Sequence, residues 1–206
     1  MLKLYGFPLS NYFNMVKIIL IEKGVDYEFI STMPSQESDY LSKSPMGKVP
    51  CIETDDGFLS ETNVIMEYLE DSGEGPSLFP SDPFEKASVR ELMKEMELYI
   101  ELPARTCYPE TFFGGKVSDE VKETAKANLQ RGMDCLKRNA KFSPYVAGDE
   151  LTYADFFFMY SVNLANSVAK RLWHMDLLAE LPEAQALMQQ LGERESAKQI
   201  AADQKQ

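Results

Sequence analysis

Histidine and paired cysteines are nearly absent from this chain of 206 residues. The single histidine, His174, excludes metal sites that are built from several imidazoles. The three cysteines, Cys51, Cys107 and Cys135, stand too far apart in sequence for a CxxC redox pair or a zinc knuckle. Such scattered cysteines are typical of reduced thiols in a cytosolic protein. We therefore expect no metal cofactor.

Positive charge and long apolar runs are also scarce. The chain carries 21 Lys and Arg against 33 Asp and Glu, a net charge of −12. Binding to a phosphate backbone depends on neutralising phosphates with Lys and Arg, so nucleic acid is not an expected partner. No apolar run approaches the roughly 20 residues that span a bilayer, and the first residues lack the layout of a signal peptide. The sequence predicts a soluble, cytoplasmic protein that does not bind membranes.

Short β-prone runs alternate with helical patterns over the first 71 residues. The predicted strands are residues 2–5, 27–30, 47–53 and 58–59, and the predicted helices are residues 11–23, 38–42 and 64–69. Gly24 is a natural stop for the first helix, and Ser60 is the predicted N-cap of the last. An Asp-Gly pair at 56–57 predicts a hairpin between the last two strands. A strand, a helix and a strand within about 30 residues favour a parallel βαβ unit, and the whole order is βαβαββα.

The remaining chain has helical patterns only. Residues 72–83 are rich in Gly, Pro and Ser, which is typical of a linker. We predict an N-terminal domain at residues 1–75, a linker at 76–85 and an all-helical domain at 86–206. In that domain Pro103 is predicted to end or kink the first helix. Residues 156–160 are apolar on every side, which places their helix in the centre of a bundle.

A capping box is predicted at the start of that central helix. Thr152 and Asp155 have the spacing in which a hydroxyl and a carboxylate each accept a hydrogen bond from a backbone N–H at the helix start. We interpret this motif as a determinant of folding and not of catalysis.

Four segments in this order resemble the glutathione S-transferase superfamily, and the resemblance covers essentially the whole chain. They are residues 4–10 (LYGFPLS), 44–50 (SPMGKVP), 59–69 (LSETNVIMEYL) and 146–155 (VAGDELTYAD). The resemblance implies a thioredoxin-like N-terminal domain followed by a helical-bundle domain. It also implies a cis Val49-Pro50 bond, which turns the N–H and C=O of Val49 outward to pair with an extended peptide.

Ser10 is the candidate catalytic residue. It lies just before the first helix, where backbone N–H groups and the helix dipole favour negative charge. In similar serine-type members a hydroxyl at this place stabilises the thiolate of glutathione, whose pKa would fall by about one to two from a value near 8.5. Ser10 could instead serve only as a helix cap. Tyr5 and Asn11 are alternative donors to the sulfur.

The resemblance also implies a set of glutathione-binding residues. Lys48 would meet the glycyl carboxylate, Val49 the peptide backbone, Glu61 the ammonium group and Thr62 the γ-glutamyl carboxylate. The alternatives are an exposed strand lysine for Lys48 and an ordinary capped helix start for Glu61 and Thr62. Thr62 stands where Ser is common, and Asn14 stands where many bacterial members carry Arg or Lys.

Charge limits which residues can hold glutathione, a net anion. Residues 1–80 contain 5 lysines and 13 acidic residues. Few cations are therefore available in the half that should bind it, and we expect Lys48 and the helix N-termini to serve.

The resemblance implies a glutathione transferase that attacks a small hydrophobic electrophile, working as a homodimer. An electrophile cleft is expected between the two halves. Its candidate lining is Phe7, Leu9, Tyr99, Tyr108, Phe112, Phe113 and Trp173. Arg105 and His174 could orient a polar substrate, and Cys107 is either a reactive thiol or a packing residue. The alternative is a non-catalytic binding or interaction protein of the same fold.

Overall fold

The computed structural model describes residues 1–205 and divides into two compact units. The first unit is Met1–Leu78 together with the chain from Gly192 onward, and the second is Phe79–Leu191. The predicted boundaries at 1–75, 76–85 and 86–206 remain predictions, and in the structure the chain from Gly192 onward packs with the first unit. The contacts that join this segment to the first unit include ion pairs to the first helix, described below.

The first unit contains four strands and three helices in the predicted βαβαββα order. They are β1 (Leu2–Gly6), α1 (Asn11–Lys23), β2 (Tyr27–Ser31), α2 (Ser38–Leu41), β3 (Cys51–Thr54), β4 (Gly57–Ser60) and α3 (Thr62–Asp71). The first helix ends as predicted, because Gly24 adopts the left-handed conformation at φ 66°. The predicted order of elements is confirmed, although β3 begins at Cys51 and α3 begins at Thr62, which differs from the predicted starts at residues 47 and 64.

The four strands form one sheet in the order β2-β1-β3-β4. Strand β1 is parallel to β2, because the crossover helix α1 returns the chain to the same end of the sheet. Strands β3 and β4 form the predicted hairpin, and β3 also pairs antiparallel to β1. Cys51, the first residue of β3, lies opposite both Tyr5 and Ser60. This arrangement is the thioredoxin-like fold that the resemblance implies.

The second unit is wholly helical. Its helices are α4 (Pro83–Met96), α5 (Leu102–Arg105), α6 (Tyr108–Phe112), α7 (Asp119–Asn139), α8 (Tyr153–Phe157), α9 (Asn163–Trp173) and α10 (Pro182–Gly192), with π-helical turns at Glu97–Glu101 and Phe158–Val162. Within residues 1–205 no helix combines the length and the apolar character that crossing a bilayer demands.

Pro103 does not end its helix. The π-helical turn Glu97–Glu101 precedes it, and α5 continues through Pro103 to Arg105. A proline inside an α-helix removes one N–H and its ring clashes with the carbonyl four residues earlier. The wider turn places the irregularity just before the proline, so the helical path continues beyond it.

The centre of the helical unit is confirmed at the predicted segment. Tyr153, Phe156, Phe157 and Phe158 are all fully buried. The capping box is also present, with Asp155 accepting from the helix start.

One further helix, α11 (Glu195–Asp203), belongs to the first unit. Lys17, whose side chain is only 7% exposed, pairs with Asp203 at 2.6 Å. Arg194 donates to both carboxylate oxygens of Glu22, at 2.7 and 2.6 Å. Burial alone would raise the pKa of Glu22, but the hydrogen bonds from Arg194 and from a serine hydroxyl outweigh it and lower the pKa. These ion pairs join two helices that are far apart in the sequence.

Candidate functional site

The register of the sheet gathers three of the predicted segments at one end of the first unit. Strand β1 leads into the loop that carries Ser10, Val49-Pro50 lies just before β3, and Glu61 follows β4. Because Cys51 is paired with residues at the ends of both neighbouring strands, these segments emerge from the same end of the sheet.

Ser10 is the N-cap of α1. Its Oγ accepts a hydrogen bond from the N–H of Phe13 at 3.3 Å, and its carbonyl accepts one from the N–H of Asn14 at 3.0 Å. The structure therefore confirms that Ser10 caps α1. The cap uses the hydroxyl oxygen as an acceptor, so the hydroxyl proton remains available to a second partner. Capping the helix and donating to a sulfur are compatible roles for this side chain.

The loop before Ser10 is shaped by a close backbone approach. Gly6 lies against the buried ring of Phe13, where a Cβ would come within 2.2 Å of a ring carbon. The N–H of Thr32 donates to the Gly6 carbonyl at 2.8 Å, and the N–H of Ser10 donates to the Phe7 carbonyl at 3.1 Å. A side chain at position 6 would displace Phe13 and with it the start of α1.

Tyr5 is committed to a different partner. Its hydroxyl donates to the Glu53 carboxylate, which also receives Lys3 at 2.9 Å. Burial and this carboxylate raise the pKa of Tyr5 to about 12, and the two donors lower the pKa of Glu53. The geometry thus favours Ser10 over Tyr5 as the donor to a thiolate. Asn11, the other alternative, is the half-buried first residue of α1.

The Val49-Pro50 bond is cis, as expected. The segment before it is held by two hydroxyl donors, since Tyr40 and Ser44 both donate to the Lys48 carbonyl, at 3.0 and 2.8 Å. No hydrogen bond within residues 1–205 uses the N–H or the C=O of Val49. An extended peptide backbone is the natural partner for such a pair of groups.

Lys48 differs from the other lysines of residues 1–80. The four others each pair with a carboxylate: Lys3 with Glu53, Lys17 with Asp203, Lys23 with Glu70 and Lys43 with Asp39. Lys48 is exposed, and its ammonium group has no carboxylate partner within residues 1–205. It is therefore the lysine of this half whose charge is available to an anion.

The start of α3 differs from the prediction. Ser60 remains extended as the last residue of β4, where it pairs with Cys51, so it is not the N-cap. The cap position falls on Glu61, whose backbone adopts φ 71°. A residue other than glycine in this region costs about 1–3 kcal/mol, and such strain clusters at functional sites. Thr62 opens the helix and is 6% exposed.

Arg105 and Tyr108 share a buried carboxylate in the helical unit. Arg105 donates to Glu101 at 2.6 Å, and the Tyr108 hydroxyl donates to the same oxygen at 3.0 Å. The guanidinium of Arg105 also stacks on the Tyr108 ring, 5.0 Å from its centroid. Glu101 is fully buried, so these two donors compensate a charge that would otherwise be costly.

His174 and Cys107 have structural surroundings. His174 ends α9 in the left-handed conformation, at φ 54°. Cys107 is fully buried, and burial raises the pKa of its thiol. These surroundings favour a packing role for Cys107 over a nucleophilic one. Within residues 1–205 no group of three or more His, Cys, Asp or Glu is placed to hold a metal ion.

The remaining aromatic and apolar candidates differ widely in exposure. Leu9 and Phe113 are more than three-quarters exposed and Tyr99 is half exposed, whereas Phe112 packs against the Arg171 guanidinium, 5.0 Å from its ring centroid. The pattern of the sequence did not separate the exposed members of this set from the packed ones.

Sequence reasoning missed the contacts that hold the Pro8 carbonyl. Asn14 donates to it at 2.7 Å and Gln204, just after α11, donates to it at 3.1 Å. Asn14 was considered only as a lost cation, yet its side chain is buried at 1% exposure. Its position one helical turn after Ser10 is a usable signal, whereas no local pattern indicates Gln204.

The structure combines a thioredoxin-like unit, which has a capping serine and a cis-proline segment, with a helical second unit. This combination is typical of transferases that use a thiol as a substrate. Residues 4–77 match the family described as "Glutathione S-transferase, N-terminal domain", and residues 106–202 match "Glutathione S-transferase, C-terminal domain". A glutathione S-transferase of Pseudomonas putida is 54% identical over 203 residues, which cover 98% of this chain and 92% of that protein. The chain belongs to the glutathione S-transferase superfamily and is an enzyme of that family.

Solved structures agree in fold. Glutathione transferase F2 of Populus trichocarpa is 24% identical, with a TM-score of 0.84 over 100% of this chain and 99% of that one. A glutathione S-transferase from Pseudomonas fluorescens, also 24% identical, gives a TM-score of 0.78 over 95% of this chain and 96% of that one. At this identity the likeness shows the fold alone.

Proposed function

We propose that this enzyme activates the thiol of glutathione through Ser10 for attack on a small hydrophobic electrophile. The thiolate forms a carbon–sulfur bond to the electrophile, and the leaving group departs with its electron pair or a conjugated double bond takes up the electrons. Ser10 donates its hydroxyl proton in a hydrogen bond to the sulfur. The observation that carries this proposal is the cap geometry, in which the Oγ accepts from Phe13 and the proton is left for another acceptor.

The gain from such activation can be stated in numbers. A free thiol with a pKa near 8.5 is only about 3% ionised at pH 7. Lowering the pKa by one to two raises the ionised fraction to about a quarter to three quarters, and each pKa unit corresponds to about 1.4 kcal/mol. A charge-assisted hydrogen bond of about 1.5–3 kcal/mol, with the dipole of α1 in support, is sufficient for this.

Glutathione is proposed to bind across the end of the sheet. Val49 pairs with the backbone of its cysteinyl residue through the N–H and C=O that the fold leaves unused. Thr62 and the N-terminus of α3 receive the γ-glutamyl carboxylate, and Glu61 faces the ammonium group. Lys48 meets the glycyl carboxylate, supported by its lack of a carboxylate partner within residues 1–205.

The test of Ser10 must separate catalysis from capping. Ser10→Ala removes both, whereas Ser10→Gly places a residue that is well tolerated at an N-cap but has no side chain that could donate to the sulfur. We expect both variants to lower kcat/KM toward a chlorodinitrobenzene-type electrophile by about 10- to 100-fold, the equivalent of about 1.4 to 2.7 kcal/mol. We also expect both to raise the pKa of bound glutathione.

A matched control is available in the helical unit. Ser118 caps α7 in the same way, with its Oγ accepting from the N–H of Val121 at 3.4 Å. Ser118→Ala therefore removes a serine cap without touching the glutathione site. Unchanged kcat/KM in both Ser10 variants would refute the assignment of the hydroxyl.

We further propose that the enzyme is a cytoplasmic homodimer. Exposed apolar side chains on two helices support an interface: Val64 on α3 is 47% exposed, and Leu98 and Tyr99, in the π-helical turn after α4, are 44% and 52% exposed. An isologous two-fold contact is the usual way to cover such residues. A mass of one chain by light scattering would contradict the dimer.

A further inference from the structure

The Pro8 carbonyl is the anchored point of the loop that carries Ser10. It accepts Asn14 Nδ2 at 2.7 Å and Gln204 Nε2 at 3.1 Å, so both of its acceptor sites are used. Pro8 itself has no N–H, and its ring restricts the backbone on one side. The position of Ser10, two residues later, is thus coupled to the two amide donors.

The hydrogen bond from Asn14 to the Pro8 carbonyl has an energetic cost. The residue is 1% exposed, and its Oδ1 has no hydrogen-bond partner within residues 1–205. A buried acceptor without a partner lowers stability, because it has lost its hydrogen bonds to water and gained none from the protein. Reversing the amide would not relieve this, because it would place two oxygens 2.7 Å apart. Asn14 is therefore oriented so that its Nδ2 donates to the Pro8 carbonyl while its Oδ1 is left without a partner.

Gln204 is brought to the loop by α11. Its helix is held on α1 by Lys17–Asp203 at 2.6 Å and by the two contacts of Arg194 with Glu22. Lys17 is largely buried, so this ion pair is screened less than a surface pair. Helix α1 therefore has Ser10 at its N-cap and Asn14 one turn later. It also carries Lys17 and Glu22, whose side chains hold α11.

We propose that Asn14 and Gln204 are positioning residues for Ser10. In this proposal α11 holds Gln204 against the loop and so completes the thiolate site. This inference rests on the proposed role of Ser10. A hydrogen bond to sulfur depends on the placement of its donor, and small misplacements near reacting groups carry large rate effects. Loss of either amide lets the Pro8 carbonyl turn and the hydroxyl of Ser10 move away from the sulfur.

The test uses Gln204, which is exposed and can be changed with little risk to folding. Gln204→Ala removes the donor, and Gln204→Glu keeps the size of the side chain while replacing the donor by an acceptor. Gln199→Ala is the matched control. Gln199 is an exposed glutamine of α11, the helix that Gln204 follows, and it does not bond to the loop.

Two quantities report the outcome. The first is the pKa of bound glutathione, followed by thiolate absorbance against pH, together with the pH profile of kcat/KM. For both Gln204 variants we expect this pKa to rise by about 0.5 to 1 and kcat/KM at pH 7 to fall about 3- to 10-fold, with Gln199→Ala unchanged. The second is hydrogen exchange of the Ser10 amide, which bonds to the Phe7 carbonyl and should exchange about 3- to 10-fold faster.

The two quantities separate this inference from the proposed function. If Ser10 exchange and the thiol pKa both stay at wild-type values in the Gln204 variants, the positioning role is refuted. Faster exchange with an unchanged thiol pKa also refutes it whenever Ser10→Ala does raise that pKa. If Ser10→Ala leaves the thiol pKa unchanged while exchange is faster in Gln204→Ala, the proposed function fails and the anchoring of the loop stands. Asn14→Leu, with its fold checked by circular dichroism, should repeat the Gln204 result with a larger effect.

Discussion

Removal of the Asp155 carboxylate should destabilise the helical unit more than most single substitutions. Asp155 is fully buried. One carboxylate oxygen accepts the Val146 N–H at 2.8 Å, and the other accepts the Thr152 N–H at 2.7 Å and the Thr152 hydroxyl at 3.1 Å. The side chain thus closes the loop before α8 and caps the helix at once.

The magnitude follows from the groups that would be left without partners. Asp155→Ala leaves two buried backbone N–H groups unsatisfied, at about 1–3 kcal/mol each, and loses a cap worth about 1 kcal/mol. Relief from burying a charge offsets part of this. We expect a loss of about 3–5 kcal/mol in the free energy of unfolding, a large share of the 5–15 kcal/mol typical of a domain.

Asp155→Asn distinguishes hydrogen bonding from volume. The amide keeps the shape of the carboxylate, but its NH₂ must face either the Val146 donor or the two Thr152 donors. It should therefore lose most of what Asp155→Ala loses. The control is Asp119→Ala, which removes a first-turn aspartate of α7 whose side chain is 96% exposed, and which should change stability by under about 1 kcal/mol.

The assay is urea unfolding followed by circular dichroism, with the midpoint and the slope fitted together. If Asp155→Ala and Asp155→Asn both unfold within about 1 kcal/mol of the parent protein, the three hydrogen bonds do not carry the stability assigned to them.

Three further predictions follow from particular side chains. Burial raises the pKa of Asp155 from 3.8 to about 6, so folding favours its neutral form. The part of its contribution that depends on protonation is fully present below pH 3.8 and is lost as pH rises through 6, while the three hydrogen bonds to the carboxylate remain. The stability of the parent protein relative to Asp155→Asn should therefore fall over that range in urea titrations. Tyr5→Phe should keep kcat/KM within about 3-fold, because its hydroxyl already donates to Glu53. A loss as large as that of Ser10→Ala would show that Tyr5 is the donor to the sulfur. Glu61→Gly should relieve backbone strain and leave the free energy of unfolding unchanged or raised by up to about 1 kcal/mol. The same change should weaken glutathione binding measured by calorimetry, and an unchanged affinity would refute the role of the carboxylate.

Local chemistry explains why so much of the first unit could be predicted. The stop at Gly24, the Asp-Gly hairpin and the alternation in β1 each depend on residues within a few positions of one another. The cis bond at Val49-Pro50, in contrast, was implied by the family resemblance and not by local chemistry. In the second unit the capping box and the apolar segment after it were legible for the same reason.

The errors arise where distant parts of the chain decide the local structure. Ser60 looks like an N-cap in isolation, but pairing with Cys51 keeps it in the strand and moves the turn to Glu61. Pro103 was predicted to end or kink its helix; the helix does not end there, and the irregularity takes the form of a π-helical turn before the proline. The packing of α11 on α1 depends on ion pairs between residues more than 170 positions apart, which no periodicity reveals.

The balance of charge in the first unit explains how an acidic protein can bind an anion. Four of its five lysines before residue 80 are used in ion pairs, which fasten strands and helices, and the lysine without a carboxylate partner is Lys48. Asn14 stands where the family resemblance implies a cation, and its side chain donates to the Pro8 carbonyl. In the proposed mechanism the charge on the thiolate is stabilised by a hydroxyl and by backbone N–H groups, whose placement matters more than that of a mobile cation, because hydrogen bonds are short-ranged and directional. An enzyme that relies on such donors needs a rigid loop, and the two amides on the Pro8 carbonyl supply that rigidity.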